Sequence, residues 1–67
     1  MKDLPQVGEL YRHIERGSAY RIICIANLYS LNPKFPITVI YENIATGSVW
    51  ARPFNSEWAE RYQLIKK

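Results

Sequence analysis

Turn-forming residues at Pro5, Gly8, Gly17, Pro33, Pro36, Gly47 and Pro53 cut this chain into short stretches of alternating β-branched and aromatic residues. No stretch sustains a long helical period, and there is no internal repeat or low-complexity tract. The spacing predicts five strands, over residues 9–14, 19–29, 37–43, 48–52 and 62–65. A single helical turn is expected at 57–60, capped by Asn55 or Ser56. Residues 30–36 read as a loop, because Pro33 and Pro36 remove ladder donors and restrict their predecessors. An open sheet this small would expose apolar edges. The expected fold is therefore all-β with one short helical turn, a small SH3-like barrel or roll of about five strands.

Sixty-seven residues make one domain, with a core at about 8–65, an N-terminal arm at 1–7 and a basic tail at 66–67. Domains of this size commonly add disulfides or a metal. Here a single Cys24 excludes an intrachain disulfide, and one His13 with one Cys24 does not supply a tetrahedral zinc site. No cofactor or metal is expected. Stability must come from apolar burial, for which two Trp, five Tyr and two Phe provide large surfaces.

The net charge is +3, but Lys2, Lys66 and Lys67 carry much of it at the ends. Between them six cations (Arg12, Arg16, Arg21, Lys34, Arg52, Arg61) face five anions (Glu9, Glu15, Glu42, Glu57, Glu60). That near-balance argues against a general phosphate-backbone binder, which needs a basic stripe. The unpaired Cys24 and an N-terminus without an apolar secretion segment point to a reducing, cytoplasmic setting. The longest apolar run, residues 22–26, is far too short to span a membrane.

Two segments concentrate recognition chemistry: Tyr11-Arg12-His13 and Val49-Trp50-Ala51-Arg52-Pro53-Phe54. His13 is the one side chain that titrates near neutrality, yet no carboxylate sits at a telling spacing to make it a general base. Alternation puts Tyr11 and His13 on one face. Trp50 and Arg52 share a face by period two, leaving Val49 and Ala51 to the opposite face, which suits a tight core. On that reading Trp50 is exposed beside Arg52 and can stack on a base, peptide or ligand ring. The alternative makes Trp50 a core anchor and pairs Arg52 with Glu42 across the strands. In the second strand Tyr20, Ile22, Cys24, Ala26 and Leu28 share one face, so Cys24 reads as a small core residue. Tyr20, Tyr29 and Tyr41 either wall the core or line an aromatic groove.

These elements, in this order, resemble a small bacterial and phage family known only as a domain of unknown function. The likeness rests on Tyr11-Arg12-His13, Tyr20-Arg21-Ile22-Ile23-Cys24-Ile25-Ala26, Ile37-Thr38-Val39-Ile40-Tyr41 and Val49-Trp50-Ala51-Arg52-Pro53. Trp58 and Arg61-Tyr62-Gln63-Leu64-Ile65 extend it, so it covers residues 8–65. The resemblance implies an SH3-type barrel and assigns no activity. Many members have Gly where Cys24 stands, and a His where this chain has Asn27-Leu28.

The chain lacks paired carboxylates, a glycine-rich phosphate loop, a nucleophile–base pair and a metal cluster, so it reads as a non-enzymatic binding module. Its expected partner is a protein or small molecule, held through Tyr11, His13, Tyr41, Trp50 and Arg52 by a monomer or weak dimer. A nucleic-acid-binding β-barrel is the alternative.

Overall fold

A computed structural model describes residues 4–66. Lys2 and Lys67, two of the three cations expected at the ends, lie outside the described residues. The elements are β1 (Leu10–His13), β2 (Ala19–Ala26), β3 (Thr38–Asn43), β4 (Val49–Pro53), α1 (Ser56–Arg61) and β5 (Tyr62–Lys66). All five strands pair antiparallel in one sheet, in the order β4-β3-β2-β1-β5. The expected all-β class, five strands and single helical turn are all present. Asn55 caps α1, its side chain accepting from the Glu57 N–H at 2.9 Å. No helix among the described residues is long and apolar enough to cross a membrane.

The sheet curls around Tyr20, Ile22, Val39, Tyr41, Trp58 and Tyr62, with Tyr11, Ile25 and Phe54 packed against them. This core is largely aromatic. Trp58 stacks on Tyr62 with ring centroids 4.2 Å apart, and Tyr41 meets both edge-on. The arm expected at 1–7 is drawn in from Pro5 onward. Pro5 is fully buried, and the Gly8 N–H donates to the Ile22 carbonyl at 2.9 Å.

Two hairpin turns are built alike. In His13-Ile14-Glu15-Arg16-Gly17-Ser18 and in Asn43-Ile44-Ala45-Thr46-Gly47-Ser48, the first residue's N–H donates to the carbonyl of the last. In both, the glycine N–H closes back on the first carbonyl at 2.7 Å. Gly17 and Gly47 have φ of 75° and 77°, a region costly for any residue with a Cβ. The first residue's side chain also accepts from the backbone N–H three residues on. His13 does this through Nδ1 to Arg16, at 3.1 Å, and Asn43 through Oδ1 to Thr46, at 3.2 Å.

Three expectations are corrected. First, β2 does not keep one alternation to its end. Its pairing with β3 shifts between Ile22 and Cys24, a bulge that inserts one residue and exchanges the faces beyond it. Ile22 is buried, Ile25 packs on the core, and Cys24 is exposed rather than a core residue. Second, β2 stops at Ala26. Asn27 then takes φ of 59°, a left-handed conformation that Asn tolerates better than most residues. Tyr29 is thereby carried into a loop at 90% exposure, away from any groove. Third, Val49 and Ala51 do not fill the core. Trp50 pairs opposite Tyr41 and Arg52 opposite the fully buried Val39, which puts Trp50 and Arg52 on the inner face. Val49 and Ala51 look outward and are exposed.

Candidate functional site

The inner face is fully packed only where α1 and β5 lie over it. Toward β4 the core runs out, and a hollow of about 490 Å³ opens between the two hairpin turns. Every strand contributes to its wall. β1 supplies His13, β2 Tyr20, β3 Tyr41, β4 both Trp50 and Arg52, and β5 Tyr62. The turns add Arg16 and Ser18 from one side, and Thr46 and Ser48 from the other.

Four of the five residues expected to bind a partner therefore line one hollow: His13, Tyr41, Trp50 and Arg52. Tyr11 does not. It faces a second, mostly apolar recess of about 700 Å³ with Pro5, Ile25, Leu28 and Leu64. There its hydroxyl donates to the Glu9 carboxylate at 3.1 Å, which also accepts from the Gln6 N–H at 2.7 Å. Arg16 and Arg61 are the functional candidates that sequence reasoning missed. Sequence reading left Arg16 in a turn and took Arg61 only as the start of the family-like segment Arg61-Tyr62-Gln63-Leu64-Ile65. Arg16 reaches His13 through their shared turn, and Arg61 through the pairing of β1 with β5, where the Ile14 N–H donates to its carbonyl at 2.8 Å.

The hollow is electrostatically one-sided. Arg16, Arg52 and Arg61 line it, their charges all acting on His13, and among the described residues no Asp or Glu does. Arg61 has an exposed partner in Glu57 at 3.1 Å. Neither Arg16 nor Arg52 has a carboxylate partner among the described residues. The expected alternative pairing of Arg52 with Glu42 is absent there, because Glu42 stands opposite Val49 and lies 3.8 Å from Arg21 instead.

Arg52 is held in place from beneath. Its guanidinium carbon lies 5.9 Å from the Tyr62 ring centroid, a cation–π arrangement. The Tyr41 hydroxyl beside it, more than any other group, raises its pKa further and keeps it charged. The Tyr41 and Tyr62 hydroxyls are 3.1 Å apart. Burial first, and the Tyr41 hydrogen bond second, push the Tyr62 pKa up to about 12, so this phenol stays protonated and able to donate. The Arg52 Nε is buried with no hydrogen-bond partner among the described residues. Trp58 Nε1, in the core, shares that condition. Above Arg52, Trp50 is 55% exposed at the rim.

His13 carries the same field. Burial, then the charge of Arg16, lowers its pKa below the ordinary 6.5; Arg61 and Arg52 add to this, and only Glu15 opposes. The imidazole is thus neutral at pH 7. Because Nδ1 accepts from the Arg16 N–H, the ring proton resides on Nε2, which has no hydrogen-bond partner among the described residues. The ring is steadied edge-on to Tyr62, with centroids 5.1 Å apart.

Chemically the hollow offers cations, hydroxyls and one exposed indole, with no base paired to a nucleophile. Cys24 does not line it. Among the described residues no three His, Cys, Asp or Glu side chains gather to hold a metal ion. The donors present suit an anion instead. No known protein family, curated protein or solved structure matches the chain.

Proposed function

We propose that this protein is a non-enzymatic binding module that holds an anionic group in the hollow between its two hairpin turns. The observation that carries the reading is the placement of three arginines around a concave, aromatic-floored hollow with no lining Asp or Glu among the described residues. The near-balance of charge over the body conceals this, since half of its six cations converge on one spot. Like charges gathered in this way repel one another, and an anion relieves that repulsion. The volume falls within the range of small-ligand sites. Elements that sequence reading singled out separately, Tyr-x-His and Trp-x-Arg-Pro, supply His13, Trp50 and Arg52 to the same wall.

The direct test is thermal unfolding of the whole chain with sodium pyrophosphate, against sodium chloride at matched ionic strength. A ligand that binds only the folded state raises stability by about 2.7 kcal/mol at a hundredfold excess over its dissociation constant. Stabilisation by pyrophosphate but not chloride, reduced in Arg52→Ala, is the expected result. Equal effects of the two salts, or an undiminished effect in Arg52→Ala, would remove the reading. The second reading, a nucleic-acid binder, is favoured by the exposed Trp50 beside guanidiniums at the sheet edge.

A further inference from the structure

Within that binding reading, we infer that the hollow takes the phosphate monoester of a single nucleotide, free or at a strand terminus, with its base against Trp50. The phosphate would lie among Arg16, Arg52, Arg61 and the Nε2–H of His13, and the ribose hydroxyls near Ser18 and Ser48. The inference depends on the anion reading, and its test separates the two.

Three observations select this ligand. The first is charge. A carboxylate carries one negative charge and is satisfied by one bidentate guanidinium. Here three arginines line one hollow, and two of them have no carboxylate partner among the described residues. A phosphate monoester is nearly dianionic at neutral pH and offers three terminal oxygens. The second is the spacing of ring and cation. Trp50 and Arg52 are two residues apart on one face of β4, so their backbones are about 7 Å apart. One nucleotide spans that distance from base to phosphate. The third is the rim itself. Trp50 is the exposed ring of the wall, while Tyr20, Tyr41 and Tyr62 are buried below it. The site therefore has one stacking platform, and one base to place on it.

The same geometry couples binding to a proton. His13 is neutral, facing Arg16 and Glu15 from its own turn, Arg61 from α1, Tyr62 from β5 and Arg52 from β4. A dianion placed among these cations reverses the local field. His13 then gains a proton at Nδ1, which gives up its hydrogen bond from the Arg16 N–H, while the Nε2–H donates to the phosphate. Opposite charge within a few ångströms raises a histidine pKa by about 1 or more.

The experiment uses the whole chain and follows the His13 ring and the indole signals by NMR during titration. The probes are adenosine 5′-monophosphate, adenosine, ribose 5-phosphate, O-phospho-L-tyrosine and a tetranucleotide with or without a 5′-phosphate. Adenosine 5′-monophosphate should perturb Trp50 and raise the His13 pKa by about 1. Adenosine alone should bind at least about tenfold more weakly, and so should ribose 5-phosphate. Arg16→Ala, a change in an exposed turn that leaves the core intact, should cost about tenfold in affinity for the nucleotide. Trp50→Leu should abolish the advantage of the nucleotide over ribose 5-phosphate. If the 5′-phosphorylated tetranucleotide binds better than the monophosphate and the 5′-hydroxyl form does not bind, the source is a strand terminus. If the monophosphate binds as well as the tetranucleotide, the source is the free nucleotide.

Equal binding of adenosine 5′-monophosphate, ribose 5-phosphate and O-phospho-L-tyrosine overturns the nucleotide inference and leaves the anion reading standing. Binding of the tetranucleotide regardless of its 5′-phosphate overturns the monoester in favour of backbone recognition. An unmoved His13 pKa at saturation overturns the placement of phosphate beside it. Failure of pyrophosphate and every phosphate probe removes both readings together.

Discussion

The two hairpin turns at the mouth of the hollow are the same structure made with different chemistry. Each closes a glycine N–H onto its first residue's carbonyl, and each satisfies a further N–H with its first side chain. Asn43 does this with an amide, and Thr46 behind it carries only a hydroxyl. His13 does it with an imidazole, and Arg16 behind it carries a full charge. An asparagine is sufficient for the turn, as the second copy demonstrates. The imidazole's second nitrogen and the guanidinium are therefore surplus to folding, and both line the hollow. Where one local structure is built twice, what differs between the copies marks what folding does not require.

His13→Ala should show the largest effect. It strands the Arg16 N–H, removes the ring packed on Tyr62 and costs about 1–3 kcal/mol of stability in a denaturant titration. His13→Asn, which copies the other turn, should recover part of that loss by supplying an acceptor of the same reach. If the asparagine variant is no more stable than the alanine, the two turns are not equivalent and the comparison breaks.

Gly17→Ala and Gly47→Ala should come next, and should match each other. The conformation at each is left-handed, and nothing lies within 4 Å of an added Cβ. The cost is thus the backbone term alone, about 1 kcal/mol. Unequal losses would show that the likeness between the turns is superficial.

A smaller folding effect with a larger binding effect separates Arg16 from both. Arg16→Thr replaces the cation with the residue of the second turn. Stability should move by no more than about 0.5 kcal/mol, as for most exposed substitutions. Pyrophosphate binding, measured calorimetrically, should weaken about tenfold, the worth of a charged hydrogen bond. Loss of folding with intact binding would place Arg16 in the scaffold.

Much of the scaffold was legible because alternation and turn residues act locally. Val39 and Tyr41 fall on the core face, Asn55 caps the helix, and Gly17 and Gly47 sit where positive φ is needed. The bulge in β2 was not legible. Ile22, Ile23, Cys24 and Ile25 are all apolar enough for either face, so the pattern is silent about where one residue is extra. Cys24 was misplaced for that reason. Of the two readings of Trp50, the exposed one matches its 55% exposure, but the companion expectation that Val49 and Ala51 face the core is wrong. Small apolar residues suggested a core face, whereas Trp50 and Arg52 occupy the inner face at a place the core does not reach. No long repeat exists, yet the short pattern from His13 to Ser18 recurs from Asn43 to Ser48 with only Ile, Gly and Ser retained. The convergence of Arg16, Arg52 and Arg61 is a tertiary property, and no linear spacing encodes it.

The smallest expected effect is a slope with pH, and it belongs to one turn only. The His13 pKa is lowered from 6.5, by burial first and Arg16 second. Below that value the unfolded chain binds a proton at this position more readily than the folded chain does. Stability from this residue is therefore fully present above pH 6.5 and is lost as pH falls toward the folded-state pKa. Denaturation midpoints taken from about pH 7.5 down to about pH 5 isolate it from most carboxylates. The intact chain should lose stability across that interval. His13→Asn should be flatter, because asparagine binds no proton and the second turn has always done without one. Saturating pyrophosphate should shrink or reverse the slope in the intact chain, since an anion among the guanidiniums favours the imidazolium in the folded state. A slope that persists unchanged in His13→Asn would assign it to other groups, and the functional distinction between the two turns would lose its pH signature.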